Sequence, residues 1–273
     1  MLPIPKPWDN RPQFENLPPK SQLPTMYDLP SESPGDAGLP DDFHILQPRL
    51  LSDTFKPATD LVTDYFTATD MNLYYDPANP MHYKRPDWFA VLGSKRADQI
   101  NELRLSYVIW QEEIAPYLLI ELLSPGTEKE DLGTRLRDIE QPPGKWDVYE
   151  RYLQIPYYAV YSRYTGELKL FSLIAGSYQL FVATATPNVK RKKLWLSRAG
   201  IGLGIWNGSY QGVFGHWLRF FDVNGQWIPS PEEQLIQKTE QLTQKDKQLA
   251  QEKSRAERYA VRLRELGIDP EAY

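Results

Sequence analysis

The chain of 273 residues contains no cysteine, which excludes disulfide bonds and any metal site built on thiolates. It also has no run of roughly 20 apolar residues, the length that spans a bilayer, and its first ten residues lack the apolar stretch of a signal peptide. The three histidines, His44, His82 and His216, do not have metal-ligand spacing, so no zinc site is expected. The sequence therefore predicts a cytoplasmic protein with no membrane partner.

An excess of positive charge is missing as well. The formal net charge is −5, which argues against a protein that coats nucleic acid through bulk electrostatics. The densest basic run is KRKK, Lys190 to Lys193, and it can be interpreted either as a solvated turn between strands or as part of a local basic groove. The 41% of hydrophobic residues is ordinary for a globular protein and leaves both catalysis and binding open.

The distribution of proline and glycine divides the chain into a core and two tails. Twelve of the 24 prolines fall within residues 1–57, which predicts an extended or disordered N-terminal arm. After Pro231 there is neither glycine nor proline up to Leu266, so residues 231–266 are expected to form a helical tail. Residues 267–273, beginning at the helix-stopping Gly267, form the C-terminal end.

The helical tail carries one apolar residue per heptad. These residues are Leu235, Leu242, Leu249, Ala256 and Leu263. The positions four residues later, which a strong coiled coil would also make apolar, are mostly polar. The pattern therefore predicts a weak coiled coil and a homo-oligomer formed through this helix.

Residues 58–230 form the predicted core domain. Helical spacing of Leu61, Val62, Tyr65 and Phe66 predicts a helix over residues 58–70, and a second helix is expected to begin at Lys145. Apolar runs predict strands in NLYYD, DWFAVLG, YVIWQE, YLLIELL, PYYAVYSR, ELKLFSLIAG and SYQLFVATATP. Many strands and few helices indicate an α/β (α+β) fold, with a mixed sheet as its core.

A glycine-rich stretch, GIGLG at residues 200–204, resembles a phosphate-binding loop. Such a loop holds phosphate at the N-terminus of a following helix, and no helix is predicted here. The glycines are therefore expected to lie in a strand or bulge. A Gly-x-Ser-x-Gly nucleophile turn is also absent from the sequence.

The acid Glu121 stands in the middle of the apolar strand YLLIELL. A buried charge costs several kcal/mol unless it is paired or holds a metal, so Glu121 needs a partner. Asp87 begins a neighbouring strand, and Lys145 opens a helix four residues before Tyr149, so that both face one side of that helix. Two converging carboxylates suit Mg²⁺, and a nearby ammonium can orient a water molecule and offset charge on phosphorus. This arrangement indicates metal-assisted hydrolysis of phosphodiesters.

A purely structural interpretation is also open. Asp87 can simply terminate a turn, Glu121 can pair with Arg104 or Arg135, and Lys145 can be solvated. The tryptophans that flank the proposed site, Trp88, Trp110 and Trp146, can stack on nucleic-acid bases, although core packing is the more common role of such residues.

Several motifs in order resemble those of the bacterial Uma-two family of restriction endonucleases, which has the PD-(D/E)xK nuclease fold. They are YKRPDWFAVLG, ELRLSYVIWQE, YLLIELLSPGTEKEDLG and PPGKWDVYERYLQIPYYAVYS. The resemblance implies a restriction endonuclease-like fold, DNA as the substrate and Mg²⁺ or Mn²⁺ as the cofactor. It also implies Asp87 and Glu121 as metal ligands and Lys145 as the catalytic base or water-positioning group. Asp131 matches a recurrent acid of the family without an assigned role.

One position departs from the family's general motif. A standard (D/E)xK motif would have lysine at position 123, where this chain has Leu123, so the positive charge must come from Lys145. The segment EKEDLGTRLRDIEQPP separates Lys145 from Glu121. The alternative to an endonuclease is therefore a catalytically inactive nuclease-fold binding or assembly module.

Overall fold

The computed structural model describes residues 41–58, 60–124, 128–134, 141–180 and 193–266. In chain order its elements are α1 (Asp42–Thr54), β1 (Tyr65–Thr69), β2 (Leu73–Tyr74), β3 (Tyr83–Lys84), β4 (Trp88–Leu92), β5 (Tyr107–Val108), α2 (Ile109–Glu112), β6 (Leu118–Leu122), α3 (Glu128–Asp131), α4 (Lys145–Asp147), β7 (Tyr157–Tyr161), β8 (Leu168–Ile174), β9 (Ser177–Leu180), β10 (Lys193–Leu196), β11 (Ile201–Tyr210), β12 (Val213–Phe221) and α5 (Pro231–Glu265). A short 3₁₀ turn covers Ile100–Glu102, and a π-helical turn, Val148–Tyr152, continues α4. The predicted α/β class, with a mixed sheet, few helices and a long C-terminal helix, is confirmed.

The central sheet has six strands in the order β1-β4-β6-β7-β8-β9. Only the β6–β7 pair is parallel within this sheet, and the other neighbours are antiparallel. The sequences WFAVL of β4 and LLIEL of β6 are buried along their whole length, as expected of strands covered on both faces. Glu121 therefore lies in the interior of the domain, on the strand next to the one that follows Asp87.

Two smaller sheets complete the described strands, in the orders β10-β11-β12 and β3-β2-β5. The glycine-rich stretch lies in β11, which confirms the expectation of strand glycines. A Cβ at Gly202 would come within 2.0 Å of the Phe221 ring, so this glycine allows an aromatic side chain to lie across the strand.

The first helix contradicts part of the predicted N-terminal arm. Residues 1–40 lie outside the described residues, but Asp42–Thr54 forms a helix that the prediction of an arm over residues 1–57 missed. Phe43, Leu50 and Leu51 are buried in the main core, and Pro48 is accommodated within the helix. This part of the prediction was wrong because it followed the density of prolines and overlooked the apolar face of the helix, which the core covers.

The fully buried Gln47 fixes α1 to the second sheet. Its Nε2 donates to Leu218 O at 2.9 Å, and its Oε1 accepts from Leu218 N at 2.8 Å. The Gln47 side-chain amide therefore satisfies both the N–H and the C=O of Leu218 in β12, as the backbone of a neighbouring strand would.

The predicted helix over residues 58–70 is wrong, since β1 occupies Tyr65–Thr69 and pairs with β4. Phe66 is buried in the register opposite Val91, whereas Leu61 is exposed, so the helical spacing of these apolar residues was a coincidence. The predicted strand YVIWQE is wrong in its second half, because β5 ends at Val108 and α2 follows.

The C-terminal helix α5 confirms the helix expected in the tail. Ser230 and Glu233 form a capping box at its start, and Glu233 pairs with the buried Arg219 of β12. None of the residues of α5 is buried. Among the described residues, no helix has the length and apolarity needed to cross a membrane.

Candidate active site

Asp87 and Glu121 lie opposite each other on adjacent strands. The antiparallel register pairs Trp88 with Ile120, which brings the residue before β4 level with Glu121. Glu121 Oε2 accepts from Asp87 N at 3.3 Å, and Asp87 Oδ2 accepts from Leu122 N at 2.6 Å. Each carboxylate is therefore oriented by the backbone of the other strand.

Lys145 supplies the charge partner that the buried Glu121 requires. Its Nζ lies 3.0 Å from Glu121 Oε2 and 2.8 Å from Asp131 Oδ1. Arg104, the alternative partner, instead makes two hydrogen bonds to Glu112, at 2.6 and 2.8 Å. The other alternative, Arg135, lies outside the described residues. The structure thus brings Asp87, Glu121 and Lys145 together.

Asp131, whose role the sequence left open, holds Lys145 in place. Its buried carboxylate binds the ammonium, and its backbone oxygen accepts from Tyr158 OH at 2.8 Å. The neighbouring Glu130 accepts from Lys145 N at 3.0 Å. The short helix α3 therefore fixes both the backbone and the side chain of Lys145, even though 14 positions separate Asp131 from it.

Tyr149 completes the contacts of Glu121. Its hydroxyl donates to Glu121 Oε1 at 2.9 Å from the same side of the helical turn as Lys145. Both oxygens of Glu121 are therefore engaged, one by a hydroxyl and the other by an ammonium. This satisfaction explains how a strand acid is tolerated in the core.

Two carboxylates contact one ammonium, and Asp87 adds a third negative charge nearby, so charge balance shapes the site. Burial raises the pKa of Glu121 well above its ordinary value, which Lys145 opposes and which Asp131 and Asp87 reinforce. Burial likewise raises the pKa of Asp87 against the effect of Lys145. Burial alone would lower the pKa of Lys145, but Glu121, Asp131 and Asp87 outweigh it and raise that pKa. The neighbouring carboxylates therefore favour the ammonium form of Lys145.

His44 is a member of the site that the sequence did not reveal. Its Nε2 lies 3.2 Å from Leu122 O, and its Nδ1 lies 2.9 Å from Asp41 Oδ1. Burial opposes its charged form, but Asp41 and Asp87, together with the Leu122 carbonyl, raise its pKa to about 9. The contact joins residues 78 positions apart, so only the Asp41–His44 spacing was visible in the sequence.

The donor set suits a small hard cation. Asp87 and Glu121 offer carboxylate oxygens, and Mg²⁺ commonly binds one or two carboxylates while keeping several waters. Asp87 Oδ1 makes no hydrogen bond to another described residue, whereas a cation at Glu121 Oε2 would compete with the Lys145 ammonium. In the described part of the chain, no group of three or more His, Cys, Asp or Glu side chains is arranged to hold a metal. Any ion would therefore depend on two carboxylates and water.

The flanking tryptophans differ in exposure. Trp88 is fully buried, and Trp146 packs edge-on against Phe171, with ring centroids 4.9 Å apart. Trp110 is 40% exposed and packs against Tyr74. Core packing therefore accounts for Trp88 and Trp146, and Trp110 alone presents an aromatic face to solvent among these three.

Comparison with known proteins gives one family match. The family model described as "Uma2: Putative restriction endonuclease" matches residues 12–197, a span that includes Asp87, Glu121, Asp131 and Lys145. Among solved structures, the chain is similar to "a putative nuclease belonging to DUF820 from Anabaena variabilis ATCC 29413", with 15% sequence identity and a TM-score of 0.34. That similarity covers 59% of this chain and 76% of the other. None of the curated proteins compared with the chain matches it.

Proposed function

Since the chain belongs to the Uma2 family of restriction endonucleases, we propose that it is a metal-dependent endonuclease that hydrolyses phosphodiester bonds in DNA. The observation that carries the proposal is the convergence of Asp87, Glu121 and Lys145. The Lys145 ammonium lies 3.0 Å from Glu121, whose carboxylate also accepts from Asp87 N. Without a function, two buried acids on one cation, with the buried Asp87 beside them, would be a costly arrangement for a domain core.

Asp87 and Glu121 are the proposed ligands of Mg²⁺ or Mn²⁺. Such an ion, when bound, lowers the pKa of a water molecule and polarises the phosphoryl oxygens. The chain's own contribution is orientation, because the backbone bonds between the two strands fix the ligand oxygens.

Lys145 is proposed to stabilise negative charge that develops on the phosphate. Its raised pKa keeps the ammonium charged, so it attracts the phosphate oxygens and orients water without accepting a proton. Asp131 and Glu130 hold this residue from α3, which makes them positioning residues. The catalytic set is thus Asp87, Glu121 and Lys145, with water as the nucleophile.

A nuclease-fold binding or assembly module is the second candidate. Leu123 stands where the standard motif has lysine, and the ammonium of Lys145 is already paired with Glu121 and Asp131. If this pairing persists in the presence of metal, the domain binds its partner without cleaving it.

Plasmid nicking separates the two candidates. We expect the wild-type protein to convert supercoiled DNA into open circles with Mn²⁺ or Mg²⁺, and Lys145→Ala to abolish that conversion. Lys169→Ala removes a partly exposed lysine of β8 that pairs with Glu167 and should cleave like the wild type. A folded wild-type protein that leaves DNA intact with both metals would identify the binding module.

We also propose that a second copy of the chain is a partner through α5. Leu235, Leu242 and Leu249 are 51–66% exposed on a helix without a buried residue, and they repeat every seven positions. A cytoplasmic location is part of the same proposal and rests on the sequence alone.

A further inference from the structure

Leu122 is bound at both of its backbone polar atoms. Its N–H donates to Asp87 Oδ2 at 2.6 Å, and its carbonyl oxygen lies 3.2 Å from His44 Nε2. Leu122 directly follows Glu121, so its N–H connects the two acids of the candidate site. The orientation of Asp87 thus depends on a residue whose backbone α1 also contacts.

The hydrogen-bond partners of His44 indicate that its ring is doubly protonated. Leu122 O and the ionised carboxylate of Asp41 both accept hydrogen bonds, so both contacts are hydrogen bonds only when each ring nitrogen carries a proton. Asp41 also caps α1 by accepting from His44 N at 2.8 Å, and its Oδ2 lies 2.7 Å from a guanidinium nitrogen of Arg163. The imidazolium is therefore held in one orientation by an acid that is itself anchored.

We propose that His44 is a positioning residue of this active site and that its imidazolium, by binding the Leu122 carbonyl, fixes the backbone of Leu122 so that the Leu122 N–H holds Asp87 in its metal-binding orientation. A charged donor on the carbonyl restrains the backbone torsions of Leu122, and these torsions set the direction of the N–H that binds Asp87. The inference rests on the proposed function in taking Asp87 as a metal ligand. It assigns α1, which the sequence placed in an arm, to the catalytic domain.

A role limited to holding α1 in place would be redundant. Leu50 and Leu51 are fully buried, and Gln47 binds both polar atoms of Leu218. These contacts remain when His44 is replaced, so the helix is expected to stay docked. The imidazole can therefore be changed with the fold retained, and its effect on the site can be measured separately.

The experiment compares His44→Leu, which removes both donors, with His44→Gln, whose amide can still donate to Leu122 O. Mn²⁺ affinity is measured by calorimetry on the full chain, with circular dichroism as the check on folding. Residues that orient metal ligands typically contribute 10–100-fold to affinity, so His44→Leu should raise the Mn²⁺ Kd about tenfold or more. His44→Gln should stay within about threefold of the wild type, because the donor to the carbonyl is kept. His82→Leu is the control.

A second readout does not depend on metal or cleavage. In nitrogen-15 NMR spectra, the Leu122 amide should exchange slowly in the wild type and His44→Gln, and at least tenfold faster in His44→Leu. A folded His44→Leu protein with unchanged Leu122 exchange would overturn the proposal, as would equal Mn²⁺ affinities of His44→Leu and wild type. A wild-type protein that binds Mn²⁺ without cleaving DNA would refute only the nuclease.

Discussion

Asp87 and Glu121 exchange hydrogen bonds with each other's backbone: the carboxylate of Asp87 accepts from the amide after Glu121, and the carboxylate of Glu121 accepts from the amide of Asp87. This reciprocal contact ties the start of β4 to the end of β6. The acids are therefore oriented by the sheet itself before any ligand arrives, which is the preorganisation that a metal site requires.

Replacing either acid by its amide should weaken divalent-metal binding. Asp87→Asn and Glu121→Gln keep the side-chain shape but remove a charged ligand, so the Mn²⁺ Kd should rise about tenfold or more in calorimetry. Glu167→Gln, at an exposed acid, is the control. Unchanged affinity in both site variants would favour the structural interpretation of the two acids.

Removing the ammonium should destabilise the fold. Lys145→Met leaves Glu121 and Asp131 buried without their cation, and breaking such a pair typically costs about 3–5 kcal/mol. The free energy of unfolding in urea should fall by about 3 kcal/mol. The loss should shrink at lower pH as Glu121, whose pKa burial raises, takes up a proton. Lys169→Met should change it little. Equal stabilities of the Lys145 and Lys169 variants would contradict this account.

The turn at Gly133 should be intolerant of any side chain. Its φ is +67°, and an added Cβ would lie 2.7 Å from Trp146, the residue after Lys145. Gly166 has a similar φ of +65° but nothing within 4 Å. Gly166→Ala should therefore cost only backbone strain of about 1 kcal/mol, whereas Gly133→Ala should cost at least about 1 kcal/mol more. Equal unfolding energies for the two variants would show that Trp146 can move freely.

The His44 ion pair should stabilise the fold in a pH-dependent way. The pKa of His44 is raised from 6.5 to about 9 in the folded chain, against the effect of burial, by Asp41, Asp87 and Leu122 O. A raised pKa means that the contribution is fully present below pH 6.5 and is lost as the pH rises through about 9. The stability gap between wild type and His44→Gln should therefore narrow between pH 6 and pH 10 in urea titrations. A constant gap would mean that His44 does not change charge.

Shortening α5 should reduce self-association without unfolding the core. A chain ending at Lys238 keeps the capping box of Ser230 and Glu233 and the pairing of Glu233 with Arg219, so the buried guanidinium stays satisfied. In light scattering, the ratio of particle mass to chain mass should be larger for the full-length protein than for the shortened chain. Substituting Leu242 and Leu249 together by lysine should reduce the particle mass in the same way as the truncation. Monomers in all three proteins would refute the helix-mediated partner.

The chemistry of the site was more predictable from sequence than its support. Glu121 was visible because an acid interrupts a strand that is otherwise apolar, and Lys145 and Tyr149 because helical spacing places them on one side. Asp131 and His44 were not assigned, since their contacts depend on how α3 meets α4 and β7 and on how α1 meets β6. The proline count also concealed α1, whose apolar face is favourable only once the core covers it.

The same reasoning explains the error at residues 58–70. A short strand at the edge of a sheet, such as β1, can carry any apolar spacing, and the pairing of β1 with β4 decides the conformation of Phe66. Strands buried on both faces, such as β4 and β6, were correctly predicted because their composition leaves few alternatives.

The contacts of Gln47 and His44 make α1 a connection between the β10-β11-β12 sheet and the candidate active site. One turn apart on the same helix, His44 reaches the carbonyl of Leu122 and Gln47 reaches Leu218 in the β10-β11-β12 sheet. Separating that sheet from the core would displace α1 through Gln47 and so weaken the contact of His44 with Leu122, whose N–H connects the two acids. A disruption of the β10-β11-β12 sheet is thus expected to reach the candidate active site through α1.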